Sequence, residues 1–239
     1  MGNRKGLPPR RMTGRNGQAR SATVQYGSTM KYFVAVAGNI GAGKSSLTGL
    51  LAQKFGWEAI FEPVEENPYL ADFYTGMSRW GFHSQVFFLA RRLRQYRANT
   101  ASFGLLDRPG SVIQDRSVYE DAEIFAYNLH RQGAMSARDW NTYHDLYDAV
   151  TTLLPPPNLV VYLQASVSTL AQRIALRGRA LEQTINPDYL AQLNTLYEEW
   201  IAGFNLCPVL TIATDDLDFA HEPAHLDLIA RRITDSLQG

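Results

Sequence analysis

A glycine-rich turn between a strand and a helix constrains this chain more than any other feature. Residues 34–55 read VAVAGNIGAGKSSLTGLLAQKF, an apolar run followed by a turn and then a helical pattern. The turn matches the pattern GxxxxGK[ST], with the strand before it and the helix after it that the pattern requires. Glycines let backbone N–H groups point inward at a helix N-terminus, where the helix dipole favours an anion. A phosphate-binding turn is therefore predicted, formed by Gly38, Asn39, Ile40, Gly41, Ala42, Gly43, Lys44, Ser45 and Ser46.

Two side chains of this turn have separate expected roles. Lys44 should reach the β- and γ-phosphates of a nucleoside triphosphate, and the Ser45 hydroxyl should bind Mg²⁺. The motif predicts a bound triphosphate and Mg²⁺, but it does not indicate which group receives a phosphate.

Short apolar runs alternate with helical patterns along the chain after Met30. The predicted strands are 32–37, 58–61, 111–114, 159–163 and 208–212, and the main helical patterns are 79–99, 136–153, 187–203 and 223–237. Most of these strands are apolar throughout, as is typical of a parallel sheet covered on both faces. The alternation predicts an α/β fold of the P-loop NTPase type, with three layers and a five-stranded parallel sheet flanked by helices.

The first 29 residues differ from the rest in composition. They carry six Arg or Lys and no acid, whereas the remaining residues carry 17 basic and 23 acidic side chains. Such a segment, rich in Gly and Arg and poor in apolar residues, is predicted to be a disordered basic extension. A nucleic-acid-binding arm is a weaker alternative, so no nucleic-acid partner is expected. Residues 30–239 are predicted to form one domain.

Two observations bear on the expected location. No apolar run is long enough to cross a bilayer, so no membrane partner is expected. Cys207 is the single cysteine, which fits a reducing compartment. A cytoplasmic location is the expectation.

Charged side chains follow two of the predicted strands. Glu62 comes after the second strand in FEPVEEN, and Asp115 and Arg116 come after the third in DRSVYED. Ligands of open α/β sheets bind beyond the carboxyl ends of the strands. Glu62 can therefore act as a base toward an acceptor hydroxyl, Asp115 can hold Mg²⁺ and Arg116 can face both Glu62 and the acceptor. A solvated glutamate and an ordinary Asp–Arg surface pair are the alternatives.

A third charged stretch is RIALRGRALEQ, residues 173–183. Arg173, Arg177 and Arg179 recur at helical spacing, and the helical pattern breaks at Gly178, between the last two. Arginines that close over a phosphate site would neutralise the charge of a transferring phosphoryl group. The stretch predicts an Arg-rich lid, with a solvated basic face as the alternative.

Taken together, these stretches resemble the deoxynucleoside kinase family over nearly all of residues 32–219. The family's EPV motif is matched at residues 62–64, its Glu/Asp-Arg-Ser motif at residues 115–117 and its lid motif by Arg173, Arg177 and Arg179 followed by Glu182. The resemblance implies ATP as phosphate donor, a deoxynucleoside as acceptor, and a homodimer built on helices 79–99 and 136–153. It implies catalytic roles for Glu62, Arg116, Lys44, Arg177 and Arg179.

The resemblance also implies binding residues. Tyr74 and Glu182 would bind the sugar, and the loop 214–219, with Asp216 and Phe219, would contact the donor base. Arg173 and Arg177 would bind the donor phosphates, while Ser45 and Asp115 would hold Mg²⁺. The acceptor base would lie among Trp80, Gln85, Phe88, Arg92, Asp121 and Phe125. Aromatic rings can sandwich a flat base, and the Gln85 amide can pair with its edge.

Two positions depart from the family pattern. Leu181 stands where many members have a first lid glutamate, which leaves the sugar contact to Glu182. Asp115 is shorter than the Glu of animal members, which suggests a water between carboxylate and metal.

Two other functions share parts of the pattern. A nucleoside monophosphate kinase of the thymidylate kinase type has the same fold, but its anionic acceptor needs no carboxylate base such as Glu62. A P-loop switch protein would need a guanine-specifying Asn-Lys-x-Asp stretch, which the sequence lacks.

The expected acceptor base depends on Arg92 and Asp121. Two charges in one pocket should be paired, because a lone buried charge is costly. Relatives that prefer thymidine typically have uncharged residues at these positions. The pair argues for deoxyadenosine, deoxyguanosine or deoxycytidine, and the resemblance of residues 115–121 to bacterial purine kinases favours a purine.

Overall fold

A computed structural model describes residues 32–97, 110–182 and 185–238. The predicted extension, residues 1–29, lies outside the described residues. The sheet has the strands β1 (Phe33–Gly38), β2 (Glu58–Ile60), β3 (Val112–Asp115), β4 (Leu159–Gln164) and β5 (Val209–Ala213). Their order is β2-β3-β1-β4-β5, and every pair is parallel. The predicted five-stranded parallel sheet is confirmed.

Alternate residues of the central strand β1 face opposite layers. Val34 and Val36 pack with α1 (Lys44–Phe55), α7 (Val167–Arg177) and α9 (Pro223–Gln238). The neighbouring Ala35 and Ala37 pack against α8 (Pro187–Gly203) on the other face. Since both faces are covered by helices, β1 is buried along its whole length, and the predicted three-layer arrangement is confirmed.

The remaining helices form a second core beside the sheet. They are α2 (Leu70–Thr75), α3 (Met77–Arg97), α4 (Val118–Glu120), α5 (Tyr127–Arg131) and α6 (Ala137–Thr151), which pack against Phe33, Ile60 and Val112 at the β2–β3 side. The long helices begin and end within a few residues of their predicted bounds. None of the helices in the described part of the chain has the length and apolarity that a membrane crossing requires.

A π-helical segment, Asp121–Ala126, joins α4 to α5. A capping box starts the run, because the Ser117 hydroxyl accepts from the Glu120 N–H while the Glu120 carboxylate accepts from the Ser117 N–H. Such wide turns are rare and frequently lie at functional sites. Here the segment carries Asp121 and Phe125, both expected to contact the acceptor base.

Candidate active site

The glycine-rich turn has the backbone shape of an anion nest. Gly41 and Gly43 adopt φ values of 85° and 96°, which L side chains rarely tolerate. Side chains would also collide there, since a Cβ on Gly41 would lie 2.8 Å from the Leu170 carbonyl oxygen. The turn therefore requires glycine at these positions and presents the first N–H groups of α1 to an anion.

Lys44 folds back over this turn. Its ammonium donates to the Asn39 carbonyl at 3.0 Å, and the Asn39 amide is held by the Leu190 carbonyl at 2.9 Å and by Asn194. Burial, followed by the positive charge of Arg116, lowers the pKa of Lys44 to about 8. A bound phosphate would supply the negative charge that this buried ammonium needs.

Ser45 and Asp115 meet at the edge of the sheet. Because β3 lies beside β1, Asp115 pairs in register with Val36 and reaches the turn. The Ser45 hydroxyl donates to Asp115 Oδ2 at 2.5 Å, while Asp115 Oδ1 is buried and has no hydrogen-bond partner. No group of three or more His, Cys, Asp or Glu side chains in the described residues could form a metal site. One hydroxyl and one carboxylate suit Mg²⁺, which usually keeps several waters and binds substrate phosphates.

Glu62 lies between two buried arginines. Its Oε1 is 2.8 Å from Arg116 Nε and 3.1 Å from Arg92 Nη2. Burial would raise the pKa of Glu62, but the charges of Arg116, Arg92 and Lys44 hold it below the ordinary value. Glu62 is therefore an ionised carboxylate beside the phosphate-binding turn.

Arg116 has an unusual backbone. Its φ of 65° is the one positive value among non-glycine residues in the described ranges. Such a conformation costs roughly 1–3 kcal/mol and is kept only where the surroundings determine it. The Arg116 N–H donates to the Val36 carbonyl at 3.0 Å, and its guanidinium lies 4.2 Å from the centre of the Phe125 ring. This backbone turn aims the guanidinium at Glu62.

One cavity brings most of the predicted residues together. Residues that were not predicted also line it: Val64, Leu70, Phe73, Ser84 and Tyr189. Tyr189 lies on α8, far along the chain from the motifs, and no local spacing could have indicated it. The predicted residues lining the cavity are Ile40, Gly41, Lys44, Ser45, Glu62, Tyr74, Gln85, Phe88, Asp115, Arg116, Asp121, Phe125, Arg177, Arg179 and Glu182.

The cavity wall combines aromatic side chains with a buried amide. Phe88 and Phe125 contribute rings to its wall. Gln85 is 3% exposed, and its Oε1 has no hydrogen-bond partner. A buried acceptor without a partner is costly unless a ligand satisfies it, so this amide is suited to the polar edge of a base.

Arg92 and Asp121 form the expected ion pair, with Arg92 Nε 2.9 Å from Asp121 Oδ2. Of the two, Asp121 lines the cavity and Arg92 does not. The other nitrogens of Arg92 are bound to Glu62 and, at 3.1 Å, to the Asp115 carbonyl. Arg92 thus binds the carboxylates of both Glu62 and Asp121 without lining the cavity itself.

Asp121 has an unusual proton affinity. Burial raises its pKa to about 6, against the pull of the neighbouring Arg92. Glu62 acts in the same direction as burial, and Arg116 opposes it. The buried Tyr143 also faces Asp121 electrostatically. Asp121 can therefore change its charge in the range of pH in which enzymes are assayed.

Glu182 pairs with two of the arginines predicted to form a lid. Its carboxylate forms ion pairs with Arg177 and, at 3.5 Å, with Arg179. Gly178 ends α7 in a left-handed conformation, so Arg179 leaves the helix and turns toward the cavity. Tyr74 lines the same side, and burial together with Glu182 raises the pKa of its hydroxyl.

Besides Arg92, nine predicted contact residues do not line this cavity: Gly38, Asn39, Ala42, Gly43 and Ser46 of the turn, and Trp80, Arg173, Asp216 and Phe219. Trp80 packs instead in the second core, where its ring stacks on Tyr69 at 5.8 Å. Arg173 donates to the carbonyls of Thr214 and Leu217, at 2.5 and 3.3 Å, so its guanidinium is occupied by backbone groups. Phe219 is buried beneath the phosphate-binding turn, and Asp216 is exposed on the adjoining loop.

The chain resembles known proteins along most of its length. The family model described as deoxynucleoside kinase matches residues 34–238. The chain is 38% identical over 202 residues to a deoxyadenosine/deoxycytidine kinase of Bacillus subtilis, covering 84% of this chain and 90% of that protein. It is 37% identical to a deoxyguanosine kinase of the same organism, covering 84% of this chain and 95% of the relative.

Solved structures show the same similarity. A deoxyadenosine kinase from M. mycoides with bound dATP superposes with a TM-score of 0.72 at 30% identity, covering 85% of this chain and 99% of the other. The same enzyme with the products dCMP and dCDP bound gives a TM-score of 0.72, with coverage of 85% and 98%.

Proposed function

The chain belongs to the deoxynucleoside kinase family, and from this premise we propose that it transfers the γ-phosphoryl group of ATP to the 5′-hydroxyl of a 2′-deoxyribonucleoside. The observation that carries the proposal is the single cavity in which an ionised carboxylate, Glu62, faces the phosphate-binding turn between two arginines. A monophosphate acceptor would place its own anion beside Glu62, which disfavours the alternative of a monophosphate kinase.

The transfer step follows from this arrangement. Glu62 accepts the proton of the 5′-hydroxyl as the hydroxyl oxygen attacks the γ-phosphorus. The bond from that phosphorus to the β–γ bridging oxygen breaks, and ADP leaves. Arg116, bound to Glu62 at 2.8 Å, keeps the carboxylate oriented toward the acceptor. A general base of this kind contributes about 10²- to 10⁴-fold to the rate.

Positive groups stabilise the transferring phosphoryl group. Lys44, Arg177 and Arg179 line the cavity from different elements, and their charges oppose the negative charge that develops during transfer. Ser45 and Asp115 would hold Mg²⁺, which would supply positive charge against the negative charge of the donor phosphates. Arg173 binds the loop at 214–217 rather than the cavity, so we assign it to holding that loop beside the donor.

The acceptor fits the other end of the cavity. Tyr74 and Glu182 would bind the 3′-hydroxyl and crowd the 2′ position, which favours 2′-deoxyribonucleosides. The base would lie between Phe88 and Phe125, with its edge toward Gln85 and Asp121. We propose a purine, adenine or guanine, with cytosine as the second choice. The relatives named for deoxyadenosine, deoxycytidine and deoxyguanosine support this range.

The decisive experiment compares the four natural deoxynucleosides side by side as acceptors with Mg·ATP. The rate of phosphorylation is measured as the rate of ADP release. A purine deoxynucleoside should give the highest kcat/KM, and adenosine should be a poorer substrate than deoxyadenosine. The four deoxynucleoside monophosphates serve as controls. Turnover of dTMP above that of every nucleoside would contradict the proposal, and preference for GTP or UTP would change the assigned donor.

We also propose a homodimer through α3 and α6, in a reducing cytoplasm. Leu146 on α6 and Leu153 just after it are exposed, at 43% and 71%, and contact with a second copy of the chain would bury them. Cys207 is a free thiol, as expected in a reducing compartment. Sedimentation at micromolar protein should give twice the monomer mass, and Leu146→Glu should reduce it to the monomer. A monomeric wild-type chain would contradict this assembly.

A further inference from the structure

A buried polar cluster lies behind the Arg116–Glu62 pair. It consists of Glu120, the last residue of α4, and Tyr197 on α8. Both side chains are fully buried, at 0% exposure, and neither lines the cavity. A buried carboxylate and a buried hydroxyl are costly without hydrogen-bond partners. The partners of Glu120 and Tyr197 therefore indicate the structural role of the two side chains.

Tyr197 connects the arginine to the phosphate-binding turn. Its hydroxyl oxygen accepts a hydrogen bond from Arg116 Nη1 at 3.1 Å. The single hydroxyl proton faces two acceptors at 2.8 Å, the Gly38 carbonyl oxygen and Glu120 Oε1. Burial, followed by the charge of Glu120, holds the pKa of Tyr197 well above its ordinary range, so the hydroxyl stays protonated and donates.

Glu120 completes the connection. Its Oε1 accepts the N–H of Gly38 at 3.2 Å and lies 3.9 Å from Arg116 Nη1. Its Oε2 accepts the N–H of Ser117 at 2.8 Å. Both backbone polar groups of Gly38, the first glycine of the turn, are therefore bound by the same two side chains that contact Arg116.

We propose that Tyr197 and Glu120 are positioning residues that hold Arg116, and through it Glu62, at a fixed distance from the phosphate-binding turn. This inference rests on the proposed function, in which Glu62 acts on the acceptor hydroxyl. Arg116 needs such support, because its backbone lies in a left-handed conformation that only its surroundings can maintain. The network sets the separation between the acceptor hydroxyl and the γ-phosphate, where a misplacement of about 1 Å can cost roughly 100-fold in rate.

The first test is Tyr197→Phe, which removes one hydroxyl and keeps the ring. We expect kcat to fall about 10- to 100-fold, while KM for the deoxynucleoside and for ATP each change less than about threefold. The matched control is Tyr162→Phe. The Tyr162 ring stacks on Tyr197 at 5.7 Å, but its hydroxyl bonds the exposed Glu198. The control should keep the wild-type kcat.

A double-mutant cycle with Glu62→Gln distinguishes positioning from general loss of stability. If Tyr197 acts through Arg116 and Glu62, Tyr197→Phe should cost less than about threefold in kcat once Glu62 is replaced. Equal losses in both backgrounds would overturn the inference. So would a Tyr197→Phe variant with unchanged kcat, or one whose only change is a lower Tm.

A second variant covers the possibility that Tyr197→Phe does not fold. Glu120→Gln keeps the size of the side chain and removes its charge, and the same cycle with Glu62→Gln applies to it. The proposed base is tested separately, since Glu62→Gln alone should lower kcat. If that variant keeps its kcat, the base role fails, whereas Tyr197→Phe in the wild-type background still reports on the network.

Discussion

Replacing Glu62 by Gln tests the centre of the proposed mechanism. The amide keeps the shape of the side chain but cannot take a proton from the acceptor hydroxyl. Loss of a general base lowers kcat by about 10²- to 10⁴-fold, which corresponds to roughly 2.7–5.4 kcal/mol of barrier. KM for the deoxynucleoside should change little, because the sugar and base contacts come from other residues.

The same substitution should alter stability in a defined range of pH. Arg92 keeps its pair with Asp121, and Arg116 still donates its hydrogen bond to Tyr197, so we expect a loss of about 1–3 kcal/mol at neutral pH. The folded-state pKa of Glu62 lies below its ordinary value of 4.5. Its ionised form therefore stabilises the fold above about pH 4.5, and this contribution is lost as pH falls through the lower, folded-state pKa. The difference between wild type and variant should shrink in that acidic range.

A matched control lies four residues away. Glu66 also pairs with an arginine, Arg91, at 3.2 Å, but its side chain is 58% exposed. Glu66→Gln should leave kcat unchanged and change stability by less than about 1 kcal/mol. Initial rates of ADP release at saturating ATP, with urea unfolding at several pH values, measure both effects. A Glu62→Gln enzyme that keeps more than a tenth of its kcat would remove Glu62 from the role of base.

Three further predictions concern the metal, the acceptor base and the turn. Asp115→Asn should raise the Mg²⁺ concentration for half-maximal activity about 10- to 100-fold; an unchanged Mg²⁺ titration would contradict its role as ligand. If ionised Asp121 binds the base, kcat/KM for the deoxynucleoside should fall about tenfold per pH unit below pH 6. Asp121→Asn should abolish this dependence of kcat/KM on pH. If the dependence persists in the variant, the role of ionised Asp121 in binding the base is refuted. Gly41→Ala should raise KM for ATP at least about tenfold. Gly203 has open space around it, so the control Gly203→Ala should not change KM for ATP. Equal KM values for the two variants would show that the turn tolerates a side chain.

The sequence predicted that Glu62, Asp115 and Arg116 lie close to the phosphate-binding turn. It could do so because residues that follow neighbouring parallel strands lie at the same edge of the sheet. Glu62 follows β2, and Asp115 ends β3, which lies between β2 and β1. Carboxyl ends of neighbouring parallel strands meet at one edge, so residues there must approach the turn that follows β1. The ion pair of Arg92 with Asp121 was also predictable, since two buried charges of opposite sign avoid the cost of isolation.

Helical spacing was a weaker guide to the cavity. It indicates which side chains share a face of a helix, but not what that face contacts. Trp80, predicted to contact the base, packs on Tyr69. Arg173, predicted to bind the donor phosphates, donates to the carbonyls of the loop at 214–217. Backbone carbonyls and neighbouring rings compete for such side chains, and only the packed fold decides which partner is closest.

The sequence by itself determined the phosphate-binding turn, the parallel sheet and the edge at which the carboxylates gather, because these depend on glycine positions, apolar periodicity and chain order. Only the tertiary structure decided how Arg116 is aimed. Its left-handed backbone and the π-helical turn carrying Asp121 are features of the packed fold. The hydrogen bond from Tyr197 to Gly38 joins residues 159 positions apart. Contacts of that range form only when α8 packs on the sheet, and no pattern within a short stretch of sequence records them.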